Sequence, residues 1–128
     1  MIVLQFSEPW KLGFLEEPAD TQFAHTQSAF LRCKVAGNPP PVVTWRLATS
    51  FKTILSTNSS LRYVLPNGSL FFPPFRENEL DPSVHQASYQ CVAQNKLGAI
   101  VSRRATLRAG SVTLTLKILT IFFLTRSY

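Results

Sequence analysis

The sequence predicts an all-β protein, a Greek-key sandwich of two sheets packed face to face and joined by one disulfide. Three observations carry this expectation. Cys33 and Cys91 are the only cysteines among 128 residues, and they are far enough apart in sequence to join two layers. Trp45 follows the first cysteine by twelve positions, which suits a large ring filling the volume beside a sulfur bridge. Tyr89 precedes the second cysteine by two positions. Side chains along a strand alternate with period two, so this tyrosine and its cysteine face the same way.

A cysteine pair by itself admits three readings: two free thiols, a partial metal site, or a disulfide. The chain has no CxxC, and neither His25 nor His85 stands at metal-ligand spacing from a cysteine. With Trp45 and Tyr89 in register, the disulfide is the reading adopted. Closing so long a loop contributes roughly 4 kcal/mol by chain entropy, an upper figure because native strain subtracts from it. Such a bond persists only in an oxidising compartment, which places the domain on the extracellular side of the plasma membrane or in secreted form.

The elements follow in order. Phe14, Glu17, Pro18 and Asp20 read as an irregular edge strand, where proline is tolerated because one side lacks a partner. Ser28 to Ala36 is a strand with Leu31, Cys33 and Val35 on one face and Phe30, Arg32 and Lys34 on the other. Gly37-Asn38-Pro39-Pro40-Pro41 is a turn, since prolines cannot donate to a ladder. Val43, Trp45 and Leu47 then point inward, and Thr44 and Arg46 outward. Ala48 to Ser60 is a polar loop with a short edge strand expected around Phe51 to Leu55. Leu61 to Leu65 and Ser69 to Phe72 form a hairpin across Pro66-Asn67-Gly68, because Asn-Gly accepts positive φ at both residues. Pro73 to Gln86 is a long connection. Ala87 to Gln94 turns Tyr89, Cys91 and Ala93 inward, and Asn95-Lys96-Leu97-Gly98 leads into one last strand, Ala99 to Arg108.

A sandwich of this kind needs about 100 residues, so the chain is read as one domain. That domain is assigned to residues 13–109, with an amino-terminal extension at 1–12 and an apolar tail at 110–128. Nine prolines, ten phenylalanines and one methionine suit short strands with punctuated turns, and no segment keeps a 3.6-residue apolar period. Met1 to Phe6 lacks the basic start and cleavage site of a signal peptide. The tail carries thirteen residues from Val112 to Leu124 that include Lys117, short of the about 20 apolar residues of a membrane helix. It reads as a truncated anchor, an extra strand, or sequence foreign to the mature domain, and the last is preferred. Membrane association is therefore expected only through parts of a longer protein.

Here the residues support a family resemblance. Val35-Ala36-Gly37-Asn38-Pro39-Pro40-Pro41-Val42-Val43-Thr44-Trp45 resembles the first strand, turn and tryptophan strand of an I-set immunoglobulin domain. Val64-Leu65-Pro66-Asn67-Gly68-Ser69-Leu70, then Phe72-Pro73-Pro74-Phe75-Arg76, resembles the amino-terminal immunoglobulin domain of Down syndrome cell adhesion molecule (Dscam)-like proteins of the arthropod type. So do Val84-His85, Tyr89-Gln90-Cys91-Val92-Ala93-Gln94-Asn95, Gly98 and Val101-Ser102-Arg103. The resemblance implies homophilic cell–cell recognition in axon guidance and dendrite self-avoidance, with an immune role in arthropods. The chain departs from many I-set domains in two respects, and the first, a longer approach from Leu70 to Tyr89, is itself what the Dscam-like resemblance implies. His85 stands where many I-set domains carry Asp, so the customary ion pair with an arginine such as Arg62 is in doubt, and Asp81 or Glu79 could take its place.

No enzyme is expected: Ser28, Ser83 and Ser88 have no accompanying His/Asp arrangement or nucleophile elbow. No cofactor or metal is expected either, and His25 and His85 are read as ordinary loop histidines. Trp45 and Tyr89 are core residues, the tyrosine making a corner hydrogen bond to nearby backbone. The sequons Asn58-Ser59-Ser60 and Asn67-Gly68-Ser69 are candidate N-glycosylation sites. Thirteen Lys and Arg against 7 Asp and Glu give a net charge of +6. Nucleic acid is not read from this charge, since no binding motif accompanies it. Arg32, Lys34, Arg46, Arg103 and Arg104 form a candidate basic surface for sulfated glycans. That makes a soluble glycan-binding or secreted immune module the alternative to adhesion.

Overall fold

Alternation with period two runs through both halves of the molecule and decides what is buried. The computed structural model describes residues 11–54 and 60–110. Asn58, the amino-terminal start, the end of the short edge strand at Leu55 and the tail from 111 onward lie outside the described residues. Ten strands are described: β1 (Gly13–Glu16), β2 (Thr21–Ala24), β3 (Ala29–Leu31), β4 (Lys34–Ala36), β5 (Val42–Leu47), β6 (Tyr63–Val64), β7 (Leu70–Phe72), β8 (Gln86–Asn95), β9 (Gly98–Val101) and β10 (Ala105–Gly110). One layer holds β3-β7-β6 and the pair β1-β4. The other runs β2-β10-β8-β5, with β9 also on β8. The all-β sandwich is thus observed, and Cys33–Cys91 joins its layers with Cα atoms 6.4 Å apart.

The core follows from the strand register. Trp45 lies opposite Cys91 across β5 and β8. Leu31, Trp45, Leu70, Phe72, Tyr89, Cys91 and Leu107 are all fully or almost fully buried, with Phe23, Phe75 and Val84 filling the end of the sandwich. Phe72 packs tilted on Phe23 and edge-on to Tyr89, at ring separations of 6.4 and 5.4 Å. These are the offset geometries that ring quadrupoles favour.

Four strand expectations are corrected, three of them where the chain changes partner. The single edge strand at the start is two: β1 pairs antiparallel with β4, then the chain crosses at Pro18, and β2 pairs parallel with β10 in the other layer. The strand from Ser28 to Ala36 breaks at Arg32-Cys33, because β3 has β7 as neighbour and β4 has β1. Its alternation of buried and exposed residues nevertheless continues through the break. The last strand breaks at Ser102–Arg104 into β9 and β10. Around Phe51 there is only a bridge between Thr53 and Arg46 among the described residues, not a strand.

The Pro66-Asn67-Gly68 turn is built differently from the expected one. Gly68 alone in this turn has positive φ, at 89°, and its N–H closes the turn on the Leu65 carbonyl at 2.9 Å. Asn67 contributes instead through its side chain, Oδ1 accepting from the Ser69 N–H at 3.0 Å. The Gly68 carbonyl accepts from the Trp45 indole N–H at 2.7 Å, fastening the hairpin of one layer to the central tryptophan of the other. Trp45→Ala is therefore expected to lose both packing and this bond, destabilising the fold by roughly 3–5 kcal/mol. Chemical denaturation with a linear extrapolation would measure it, and near wild-type stability would refute the assignment of Trp45 as the centre of the core.

Candidate recognition surface

The five basic positions read from sequence do not gather into one face. Arg32, in the break between β3 and β4, and Lys34, the first residue of β4, are exposed on the layer crossed by a row of aromatics. Phe30, Phe71 and Tyr63 stand in register there, with ring separations of 5.0 and 5.2 Å. Arg46 points outward from the opposite layer and is half-buried. Its Nε and Nη2 both donate to Gln90 Oε1 at 3.2 Å, and its guanidinium lies 4.5 Å over the Phe51 ring. Arg103 and Arg104 are exposed in the break between β9 and β10.

Arg103 is tied down by the segment between β1 and β2. Its backbone N–H donates to Glu17 Oε1 at 2.9 Å and its Nε to the Pro18 carbonyl at 2.8 Å. Asp20 Oδ1 likewise accepts from the Thr106 N–H at 2.8 Å. These two carboxylates supply acceptors where the last strand has no backbone neighbour. Buried Ser102 fills the break from the inside, its Oγ accepting from the Cys91 N–H and donating to the Arg103 carbonyl. Of the five cations, Arg46 and Arg103 thus have structural duties, and Arg32, Lys34 and Arg104 present their charge to solvent.

The outward face of β5, β8 and β9 is different in character. Val42, Gln94 and Ala99 lie in one row and Thr44, Val92 and Val101 in the next. Val42 is 67% exposed and Val101 41%, and none of the six residues carries a charge. Leu97 adds a further exposed apolar side chain at the turn between β8 and β9. Sequence reading did not single out this face, although the outward alternation of Val42 and Thr44 was visible.

The long connection after β7 supplies the other structured feature. It contains a 3-10 turn, Glu77–Glu79, and a one-turn helix, α1 (Pro82–His85), capped by Asp81. Tyr89 Oη donates to the Val84 carbonyl at 2.6 Å and accepts from Arg62 Nη1 at 2.9 Å. Arg62 thus has a hydroxyl partner, and among the described residues no carboxylate stands within ion-pair reach of it. Asp81 does not replace the missing pair. Its Oδ1 accepts from the N–H and the hydroxyl of Ser83 at 3.0 and 2.6 Å, and these bonds hold its carboxyl below the usual carboxylate value. Burial pushes the Tyr89 hydroxyl above its ordinary value, with the Arg62 charge opposing. Of the two histidines expected in loops, His85 is in fact fully buried, and His25 donates from Nδ1 to the Phe75 carbonyl at 2.8 Å.

A two-layer sandwich with a buried tryptophan beside an inter-sheet disulfide and a tyrosine corner before the second cysteine matches a known family. The model of the immunoglobulin I-set domain matches residues 12–109. The chain belongs to the immunoglobulin I-set family. Among curated proteins, this I-set domain is 37% identical over 97 residues to cell adhesion molecule Dscam1 of Drosophila melanogaster, covering 75% of the chain and 5% of that protein. It is 34% identical over 98 residues to human Contactin-4, covering 74% and 9%. Among solved structures, the N-terminal four Ig domains of Dscam1 isoform 9.44 superpose with a TM-score of 0.75 at 33% identity, over 82% of this chain and 27% of that one. The chain therefore spans a small part of the length of its relatives, which are adhesion proteins of the immunoglobulin type.

Replacing Tyr89 by Phe keeps the ring against Phe72 and removes only the hydroxyl. The Val84 carbonyl and Arg62 are left without their partner, at an expected cost of about 1–3 kcal/mol. Equilibrium unfolding of Tyr89→Phe beside the wild type reads this directly, and an unchanged midpoint would show the corner bond to be dispensable.

Proposed function

We propose that the chain is an extracellular immunoglobulin module of a Dscam-like adhesion receptor, taking part in homophilic cell–cell recognition in axon guidance and dendrite self-avoidance. The observation that carries this reading is the 33–37% identity to Dscam1 together with the close superposition on its Ig domains. The disulfide supports an extracellular or secreted location, since it needs an oxidising compartment. The folding unit is proposed to be residues 13–109, closed by β10, with Gly110 adding one more backbone bond to the His25 N–H at 2.7 Å.

The distribution of charge favours a protein partner over a sulfated glycan. A glycan site needs cations converging on one surface, whereas Arg32 and Lys34 lie on one layer, Arg46 on the other and Arg103 and Arg104 at the edge. A cell-aggregation assay tests the two together. The chain is displayed in tandem with further immunoglobulin domains and challenged with soluble heparin. Adhesion predicts clustering of cells bearing the same protein, unaffected by heparin and by moderate salt. No clustering would overturn adhesion, and heparin binding that falls with salt and is lost in Arg103→Ala/Arg104→Ala would favour the glycan-binding module.

Asn67 is proposed as a glycan attachment site, because it is exposed at the tip of the hairpin within its sequon. Secretion from eukaryotic cells is expected to give a product that loses mass on treatment with an amidase specific for N-glycans. Asn67→Gln should remove that part of the loss, and an unaltered mass shift in the variant would exclude this site.

A further inference from the structure

We propose that the turn from Asp81 to His85 is an acid-released latch, closed by the neutral His85 ring and opened when that ring takes up a second proton. His85 has no exposed surface, and its ring stacks on Phe75 at 3.8 Å with an interplanar angle of 16°. Nδ1 accepts from the Asp81 N–H at 2.9 Å, so the single proton of the neutral ring sits on Nε2. Nε2 has no hydrogen-bond partner among the described residues. A second proton can go only to Nδ1, where it meets the Asp81 N–H head-on, donor against donor. The side-chain bond that reinforces the turn beside the Val84 and His85 N–H bonds to the Asp81 carbonyl is then lost, and a cation is left in an apolar stack with both its N–H groups unpaired.

The groups around the ring do not relieve this. Asp81 lies on the same turn, but its carboxylate is engaged by Ser83. Glu79 attracts a proton only as the weakest contribution, and the Arg62 guanidinium, reaching in from the approach to β6, repels it. Tyr89 on β8 spends its hydroxyl on the Val84 carbonyl and Arg62. On β10, which packs against α1, Arg108 is exposed and pairs in register with Gln86 on the outer face. Burial accordingly holds His85 below the ordinary histidine value of 6.5, with Asp81 opposing. A base whose folded value lies below its unfolded one binds more protons when unfolded. The latch is therefore fully closed above about pH 6.5 and weakens as pH falls from there toward the folded value.

The other histidine is placed differently, which localises the effect. His25 Nδ1–H already donates to the Phe75 carbonyl, and its Nε2 is 3.8 Å from Glu77 Oε1. Both of its nitrogens face acceptors, and the Phe75 N–H donates to the His25 carbonyl at 2.9 Å, so the stretch from Phe75 to Glu77 is fastened by bonds that do not use His85. Acid thus opens the second half of the connection and leaves the first half in place. Opening takes the Val84 carbonyl away from Tyr89 and uncovers Val84 and the face of Phe75.

Hydrogen exchange read by mass spectrometry on the full chain tests this, at about pH 7.5 and about pH 5 with rates corrected for intrinsic exchange. The amides of Asp81, Val84 and His85 are expected to lose about tenfold in protection relative to β8, while the Phe75 amide keeps its own. His85→Gln retains a side-chain acceptor and cannot titrate, so the pH dependence should vanish in it, whereas His25→Gln should leave it in place. Equal acid loss in H85Q, no loss in the wild type, or loss shared by Phe75 and β8 would each overturn the proposal. Should H85Q not fold, nitrogen-15 spectra of the wild-type imidazoles decide. An Nε2–H tautomer that titrates together with the exchange change supports the latch, and a ring titrating at or above the ordinary histidine range refutes it.

Discussion

Trp45 is the residue on which the sandwich depends. Its ring is fully buried opposite Cys91, so it sets the spacing between the layers at the point where the disulfide fixes it covalently. An indole at that depth also needs an acceptor for its N–H, because an unpaired buried donor costs more than the bond returns. The acceptor is the Gly68 carbonyl at the end of a hairpin in the opposite layer. One side chain therefore positions the core, shields the sulfur bridge and holds the β6–β7 turn. The aromatic packing of Phe72, Tyr89 and Phe23 continues outward from it.

Around that fixed centre the backbone ladders are short and interrupted, and polar side chains complete them. Glu17 and Asp20 accept from the N–H groups of Arg103 and Thr106 where β9 gives way to β10. Ser102 bridges the same break to Cys91 from the core side. At the far end, Asn95 donates to the Pro39 carbonyl and accepts from the Leu97 N–H. At the β9–β10 break the Cys91 N–H would otherwise be buried without a partner, and the remaining bonds give exposed or half-buried backbone groups a fixed acceptor. The sandwich tolerates its broken edges because nearby residues are carboxylates, hydroxyls or amides of the right length.

What could be read from the chain alone divides along this same line. The cysteines, Trp45, Tyr89 and the alternating burial from Leu31 to Val35 and from Tyr89 to Ala93 are properties of single strands, and period two exposes them. The breaks at Arg32-Cys33 and Ser102–Arg104, and the transfer of the first strand between layers, depend on which neighbour each segment meets. A linear pattern does not encode that choice. The same limit applies to the surface. Arg46 and Arg103 look like free cations in the sequence, yet Gln90 and Phe51 engage the first guanidinium and the Pro18 carbonyl the second. His85 reads as a loop residue because a proline-rich connection surrounds it, and it is buried only because that connection folds back, stacking Phe75 on its ring and tying Val84 to Tyr89.

The parallel pairing of β2 with β10 has a consequence for how such units connect. Gly13 lies at the pole occupied by Gly37 and Asn95, where Leu12 packs against Gly37. β10 runs the other way, past the start of β8, and Gly110 finishes beside Ala24 at the opposite pole. The chain consequently passes through the sandwich lengthwise instead of doubling back. Tension applied between Gly13 and Gly110 would run through the sandwich from pole to pole, along β1 and β10 in different layers.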